Sequence, residues 1–180
     1  KILFIITKFC CKLIMNCKMD EQEYTLEEIS YSKKEDCRIM ESVLGKWFQN
    51  PKTLNLVSPN LTYPFKFKKW ISKNYSEKRG IIISIIIKKG GWIIGHVSYR
   101  INKNKIHIFH LFIDKGHRRL GLAKKLINKI EKCSQLKNIN LITLNVVQKN
   151  KEAINLYERL GYTIFGFNKS GSIKMKKYNV

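Results

Sequence analysis

Polar and apolar residues change places at every second position in "EYTLEEIS" (23–30), which predicts a first β-strand. The period then lengthens, because Ile39, Met40, Val43, Leu44, Trp47 and Phe48 recur at helical spacing. "SKKE" (32–35) reads as the capping box that starts this helix, with Ser32 accepting from an early amide and Glu35 reaching back. "QNPK" (49–52) stops it. "TYPFKFKKWISKN" (62–74) predicts a second short helix, with Pro64 in its first turn and Trp70 on its apolar face.

The pattern then turns to strands. "IIISIII" (81–87) is β-branched and unbroken, as a strand buried on both faces would be. "KKGG" turns it into "WIIGHVSYRI" (92–101), and "NKNK" turns that into "IHIFHLFI" (106–113), so two hairpins in succession predict an antiparallel meander. A helix over about 118–134, a strand at 139–147, a helix at 150–161 ending on a glycine, and a closing hairpin of "YTIFGF" and "SIKMKKY" complete the series. No repeat or linker interrupts it, so residues 19–180 are expected to form one mixed α/β domain.

Composition changes this picture in two places. The formal charge of +22 over 180 residues favours polyanionic partners, namely nucleic acid, an anionic membrane face or a phosphorylated cofactor. Lysine supplies most of it, beside many Ile and Asn, a joint bias that an AT-rich coding sequence produces without selection for binding. No arginine-rich block or basic–aromatic alternation stands out, so nucleic acid is the minority reading. The five cysteines have no CxxC spacing, which suggests neither a disulfide framework nor a zinc site, and no metal is expected. Reduced thiols and a cytoplasmic setting are the default. The first eighteen residues, "KILFIITKFCCKLIMNCK", contain no acid and three of the cysteines (Cys10, Cys11 and Cys17). Their apolar run is too short to span a bilayer, and they are expected to be a non-native or disordered leader preceding a start at Met15 or Met19.

The candidate chemistry begins at "RRLGLAKKL" (118–126), where a helix opens with little bulk and much positive charge. A helix N-terminus presents unpaired amides and the positive end of its dipole. Gly121 lets an anion approach those amides, Ala123 keeps the next turn low, and Arg118 and Arg119 add charge. A basic helix end that merely contains a glycine would look much the same. The second stretch is "NKEAINLYERLGY" (150–162), with an asparagine at a helix start, Ala153, then Leu-Tyr and Leu-Gly-Tyr.

Together "FIDKGHRRLGLAKKLI" and "LNVVQKNKEAINLYERLGY" resemble the GNAT superfamily of acyl-CoA-dependent N-acetyltransferases. The phosphate-binding pattern (Arg/Gln)-x-x-Gly-x-(Gly/Ala) is met by Arg118, Gly121 and Ala123. The downstream pattern is met at Asn150, Ala153, Leu156, Tyr157, Gly161 and Tyr162. The front of the chain is similar to the ribosomal-protein and aminosugar branches. The resemblance implies a GNAT-like α/β fold: a twisted, mixed, mostly antiparallel sheet of six to seven strands flanked by about four helices.

It also implies acetyl-CoA as co-substrate. Its pyrophosphate is expected on the amides of Arg118, Arg119, Leu120, Gly121, Leu122 and Ala123. Its pantetheine arm is expected along the strand edge at Leu111, Phe112 and Ile113, whose amides face the developing oxyanion, with Asn150 and Ala153 also at the cofactor. Tyr157 corresponds to the family's general acid, against the plain reading of an aromatic packed in the core. Asn145 stands where some relatives carry a glutamate base and cannot take a proton. His110 is the substitute base, with an ordered water, or a histidine merely packed on its strand, as the rival readings. His96 and His107 have no motif support, and Asp114 reads as a turn residue. Trp47, Tyr63, Phe65 and Trp70 are expected either to line the acceptor pocket or to pack the core. The function expected is direct transfer of acetyl to a primary amine, a protein N-terminus such as a ribosomal protein's or a small amine, by a monomer or homodimer without a membrane segment. A catalytically inactive acyl-CoA-binding or basic RNA-associated module on the same fold is the alternative.

Overall fold

Seven strands form one sheet in the order β1-β2-β3-β4-β5-β7-β6 in the computed structural model, which describes residues 24–75 and 80–178. The leader 1–18 lies outside those residues. The strands are β1 (Tyr24–Ile29), β2 (Ile81–Lys89), β3 (Trp92–Asn102), β4 (Lys105–Ile113), β5 (Leu141–Val146), β6 (Thr163–Phe167) and β7 (Ile173–Tyr178). Every neighbouring pair is antiparallel except β4 and β5. The hairpins at "KKGG" and "NKNK" build β2 to β4 as the alternation requires, and the mixed sheet expected from the sequence is present.

Among the described residues five α-helices cover the sheet: α1 (Lys34–Trp47), α2 (Pro51–Val57), α3 (Phe67–Asn74), α4 (Leu122–Leu136) and α5 (Lys151–Arg159). Three local expectations are corrected. The capping box is not made: Lys33 is the N-cap of α1 without a side-chain bond, the Asp36 carboxylate accepts from the Ser30 amide at 2.9 Å, and Glu35 pairs with Arg38. Pro64 follows a cis peptide and lies outside α3, which begins only at Phe67. "QNPK" ends α1 but also starts α2, because the Asn50 side chain accepts from Lys52 N at 2.8 Å and Pro51 occupies a first-turn position where its missing N–H is harmless.

The two faces of the sheet bury different things. On one face Leu122, Leu126, Ile127 and Ile130 of α4 and Ile154 and Tyr157 of α5 pack on Ile85, Ile87, Val97, Ile106 and Ile108. Spacing of three and four residues puts the α4 positions on one stripe, so the helix docks along its length. Gly95 sits under this contact. A Cβ there would come within 2.6 Å of Ile113 Cδ1 and 2.7 Å of Ile87 Cγ2, so only glycine lets the layers meet. On the other face α1, α2 and α3 bring Met40, Leu44, Phe48, Leu54 and Trp70 onto Ile86 and Phe112. Here the apolar layer also encloses polar groups: Ser84, His96, Ser98 and His110 are all buried.

Two irregularities in β4 position the site. Its pairing with β5 runs only from Lys105↔Leu141 to Ile108↔Leu144, so the rest of β4 has no partner on that side and the strands part. One residue further on, the β3–β4 register slips: Ser98 opposes Phe109 while His96 opposes Phe112, leaving an extra residue in β4. His110 carries the bulge, with a positive φ of 53°.

Candidate active site

The end of β4 leads into a loop that is shaped for an anion. Asp114 Oδ1 accepts from the Gly116 amide at 3.0 Å and fixes the turn, the role its sequence position suggested. Arg118 Nε donates to the Ile113 carbonyl at 3.2 Å and its guanidinium lies over the Phe112 ring, tying the loop to the strand. Arg119 and Gly121 both have positive φ, 63° and 72°, and Gly121 caps α4 in the left-handed conformation without a side-chain hydrogen bond. A Cβ on Gly121 would meet no atom within 4 Å. The backbone is therefore held in a conformation that suits glycine, beside open space, at the positive end of a 15-residue helix. These residues fit a pyrophosphate, and the unpaired edge of β4 from Phe109 to Ile113 fits an extended chain that pairs like an added strand.

The bulge decides where His110 points. Strict alternation would turn His110 toward the same face as Ile106 and Ile108, into the α4 side. The extra residue turns it to the face of α1 to α3, where its ring stacks on Trp70 at 5.0 Å. His110 Nδ1 lies 3.0 Å from the Tyr75 hydroxyl, which lies 2.8 Å from Ser98 Oγ. Behind it, His96 Nδ1 is 3.1 Å from the His110 carbonyl and His96 Nε2 is 3.0 Å from the Tyr31 hydroxyl. A carbonyl only accepts, so His96 Nδ1 carries the proton and Tyr31 donates to Nε2. Burial, with help from His96 and the Arg100 guanidinium, pushes His110 well below the usual histidine value. Burial likewise pushes His96 down to about 4. Both rings are neutral at neutral pH.

His110 borders a cavity of about 300 Å³ that also touches Ser58, Lys73, Arg100, His107, Asn145 and Ser170. The cavity opens where β4 and β5 part, under the loop after α2 and the β6–β7 turn. Ser58 is 2% exposed and its hydroxyl has no hydrogen-bond partner among the described residues. Lys73 and Arg100 line the cavity, and among the described residues no carboxylate does. Asn145 is exposed and lines this space.

The structure separates other expected site residues from that cavity. Tyr157 lies on the α4–α5 face, buried, its ring edge-on to Tyr162 at 5.6 Å. Burial pushes its phenol far above the ordinary tyrosine value, so it keeps its proton at neutral pH. Asn150 caps α5, its side chain accepting from the Ala153 amide at 3.2 Å. Among the aromatics expected at an acceptor pocket, Trp70 is fully buried between His110, Tyr75 and Phe67, and Trp47 and Phe65 pack on Phe112 and Phe48. Tyr63 is 53% exposed. None of the four touches the cavity. Trp47, Phe65 and Trp70 belong to the hydrophobic layer on that face, the alternative that the sequence left open, and Tyr63 belongs to neither. Sequence reasoning missed Tyr31, Ser58, Tyr75, Ser84, Ser98 and Arg100, which belong to no local motif.

The family model described as the acetyltransferase (GNAT) family matches residues 45–162. The chain belongs to this family. Among GNAT relatives, the N-terminal acetyltransferase A complex catalytic subunit NAA10 of Arabidopsis thaliana is 34% identical over 76 residues, covering 41% of this chain and 40% of that protein. The chain thus spans about two fifths of the length of that curated relative. Two solved GNAT structures share the fold. One is the ribosomal-protein-S18-alanine N-acetyltransferase from Escherichia coli, with 16% identity, a TM-score of 0.63, and 86% and 93% of the two chains covered. The other is the PaiA N-acetyltransferase from Thermoplasma acidophilum in complex with coenzyme A, with 17% identity, a TM-score of 0.64, and 86% and 99% covered. At such identities the likeness is one of fold. No helix among the described residues is long and apolar enough to cross a membrane.

Proposed function

We propose that this protein transfers the acetyl group of acetyl-CoA to a primary amine, with a free protein N-terminus as the preferred acceptor. The observation that carries the reading is the parting of β4 and β5 with a bulged, neutral His110 at one side and a left-handed Gly121 heading an uncapped helix at the other. When bound, acetyl-CoA supplies a thioester carbonyl open to attack and a thiolate able to leave. The loop amides from Arg119 to Ala123 hold the pyrophosphate, and the amides of Leu111, Phe112 and Ile113 along the open edge orient the arm and stabilise negative charge on the carbonyl oxygen.

In this reading acid and base stand on opposite faces of the sheet, and acetyl-CoA entering between β4 and β5 would have to reach both. His110 Nε2 takes a proton from the amine in the cavity. The Tyr157 phenol, kept protonated by burial, gives one to the departing sulfur. The buried Ser58 hydroxyl is available to a peptide group of the acceptor. Preference for a protein N-terminus rests on the names of the relatives: an N-terminal acetyltransferase catalytic subunit and a ribosomal-protein alanine N-acetyltransferase.

The test is incubation with acetyl-CoA and a panel of peptides with free N-termini, alanine-led ones included, beside small amines. Thiol release and peptide mass are followed together. An acetylated N-terminus, with kcat reduced about 10²-fold or more by Tyr157→Phe or His110→Ala, is the expected result. Transfer to small amines alone would overturn the acceptor assignment, and no transfer to any amine would overturn the activity.

A further inference from the structure

The bulge in β4 has a side chain of its own to hold it. Between the pairs Ser98↔Phe109 and His96↔Phe112, four residues of β4 oppose three of β3, so one residue stands outside the ladder. The His110 carbonyl there accepts from His96 Nδ1 at 3.1 Å, across from the neighbouring strand. On the other side of the ring, Nε2 lies 3.0 Å from the Tyr31 hydroxyl and 3.3 Å from Ser98 Oγ. Either hydroxyl can donate to Nε2, and in both cases the ring proton stays on Nδ1. His96 is 1% exposed and is not one of the residues lining the acceptor cavity, so it touches no substrate.

A bulge can travel along its strand, and a shift of one residue turns a side chain to the other face. The backbone pairing on either side does not fix which residue is the extra one. Upstream, β4 pairs with β3 without a break from Lys105 to Phe109. Downstream, the Asp114 amide donates to the Ile94 carbonyl at 2.8 Å. Both bonds are compatible with the extra residue at His110 or at Leu111. The His96 bond is selective, because it holds one carbonyl, that of His110.

The same bond sets the direction of an amide. A peptide unit is planar and trans, so its C=O and N–H point opposite ways. The His110 carbonyl turns toward His96, and the Leu111 N–H of that unit turns away from it. Beyond Ile108, β4 has no partner on the side away from β3. We propose that His96 is a positioning residue for acetyl transfer: by holding the His110 carbonyl it keeps the bulge at His110 and aims the Leu111 N–H into the gap between β4 and β5. The inference rests on the acetyl-transfer reading, in which the thioester carbonyl enters that gap. A hydrogen bond to that carbonyl strengthens as negative charge develops on its oxygen, so its alignment acts on the transition state more than on binding. Burial keeps the ring suited to this task. It pushes His96 down to about 4, so at neutral pH Nε2 accepts from a hydroxyl while Nδ1 donates.

Two substitutions separate the two nitrogens. The Asn side-chain amide reaches the position of Nδ1 and can donate to the His110 carbonyl; the Gln amide reaches that of Nε2 and leaves the carbonyl unserved. Both remove the ring from its packing, so a merely structural role predicts similar losses in both. Transfer from acetyl-CoA to an alanine-led peptide is measured in the full chain carrying His96→Asn or His96→Gln. The expected result is kcat lowered about 10²-fold in His96→Gln with unchanged KM for both substrates, and kcat within about threefold of the parent in His96→Asn. Equal kcat in the two variants, or a change in KM alone, would overturn the proposal. The second readout needs no substrate: 15N NMR of the His96 ring and the amide–Hα coupling of His110. A proton on Nδ1 in the parent is expected, with a His110 coupling that changes in His96→Gln and not in His96→Asn. A parent proton on Nε2, or a His110 coupling unchanged in His96→Gln, would overturn the proposal whatever the rates. If His96→Gln does not fold, the parent tautomer and the kcat of His96→Asn decide. If the parent transfers no acetyl group, the activity reading falls, and the NMR readout alone decides whether His96 holds the bulge.

Discussion

The two faces of this sheet are built from the same strands and carry opposite chemistry. Under α4 and α5 the buried cluster is aliphatic and aromatic, and the groups in it that need a partner are the phenols of Tyr99, Tyr157 and Tyr162. Under α1, α2 and α3 a comparable apolar cluster surrounds two histidines, two serines and two tyrosines that satisfy one another. The contrast shows how one core divides its labour. The first face holds α4 rigid, so the Gly121 loop is presented in a fixed conformation. The second gives up apolar area to keep the His96 and His110 rings dry and neutral.

If that division holds, truncation on the aliphatic face acts on stability alone. Leu126 is fully buried, so Leu126→Ala should lower unfolding free energy by about 2–5 kcal/mol, read by urea titration, while the transfer rate well below the melting point stays near the parent's. A large loss of kcat in folded Leu126→Ala would show that the faces are not separable.

Acid should attack the polar face first. His96 is held down to about 4 by burial, against an unfolded value near 6.5. As pH falls below about 6.5 the unfolded chain binds the proton first, so the stability present at neutral pH is lost progressively down to about 4. The loss from His96 alone is about 3 kcal/mol, and His107, also pushed down to about 4 by burial and then by Arg100 and Lys105, acts in the same direction. Urea midpoints at pH 7 and pH 4.5 check this, with a shallower pH dependence expected in His96→Gln. The smallest effect belongs to neither face: Glu35→Gln removes the exposed i,i+3 pair with Arg38 and should leave the melting temperature unchanged within error.

Local order along the chain was readable from the sequence where a single period or motif governs it. The alternation in β1, the isoleucine run of β2, the turns at "KKGG" and "NKNK" and the stripe of α4 all follow from nearest-neighbour spacing. The turn into α4 was readable too, since its glycine and helix start are adjacent. What failed to show depends on distant contacts or on ambiguous signals. "NP" at 50–51 is at once a stop for α1 and a cap with a first-turn proline for α2. The bulge at His110 breaks the alternation that would assign its face, and no residue type announces a histidine with φ of 53°. The hydrogen-bonded groups around His110 meet across 14 to 35 residues of sequence, and Tyr31 reaches His96 across 65. Such groups look like ordinary surface and strand positions until the sheet folds.

The account stands on the fold's being wired for acetyl-CoA, and ligand-dependent melting tests that most directly. The described domain is heated with and without acetyl-CoA, beside Gly121→Glu, which puts a side chain and a negative charge where the loop amides are open. A ligand at about 100 times its dissociation constant adds roughly 2.7 kcal/mol to unfolding, so a rise of several degrees is expected in the parent and none in the variant. Equal melting with and without acetyl-CoA in the parent would contradict the assignment.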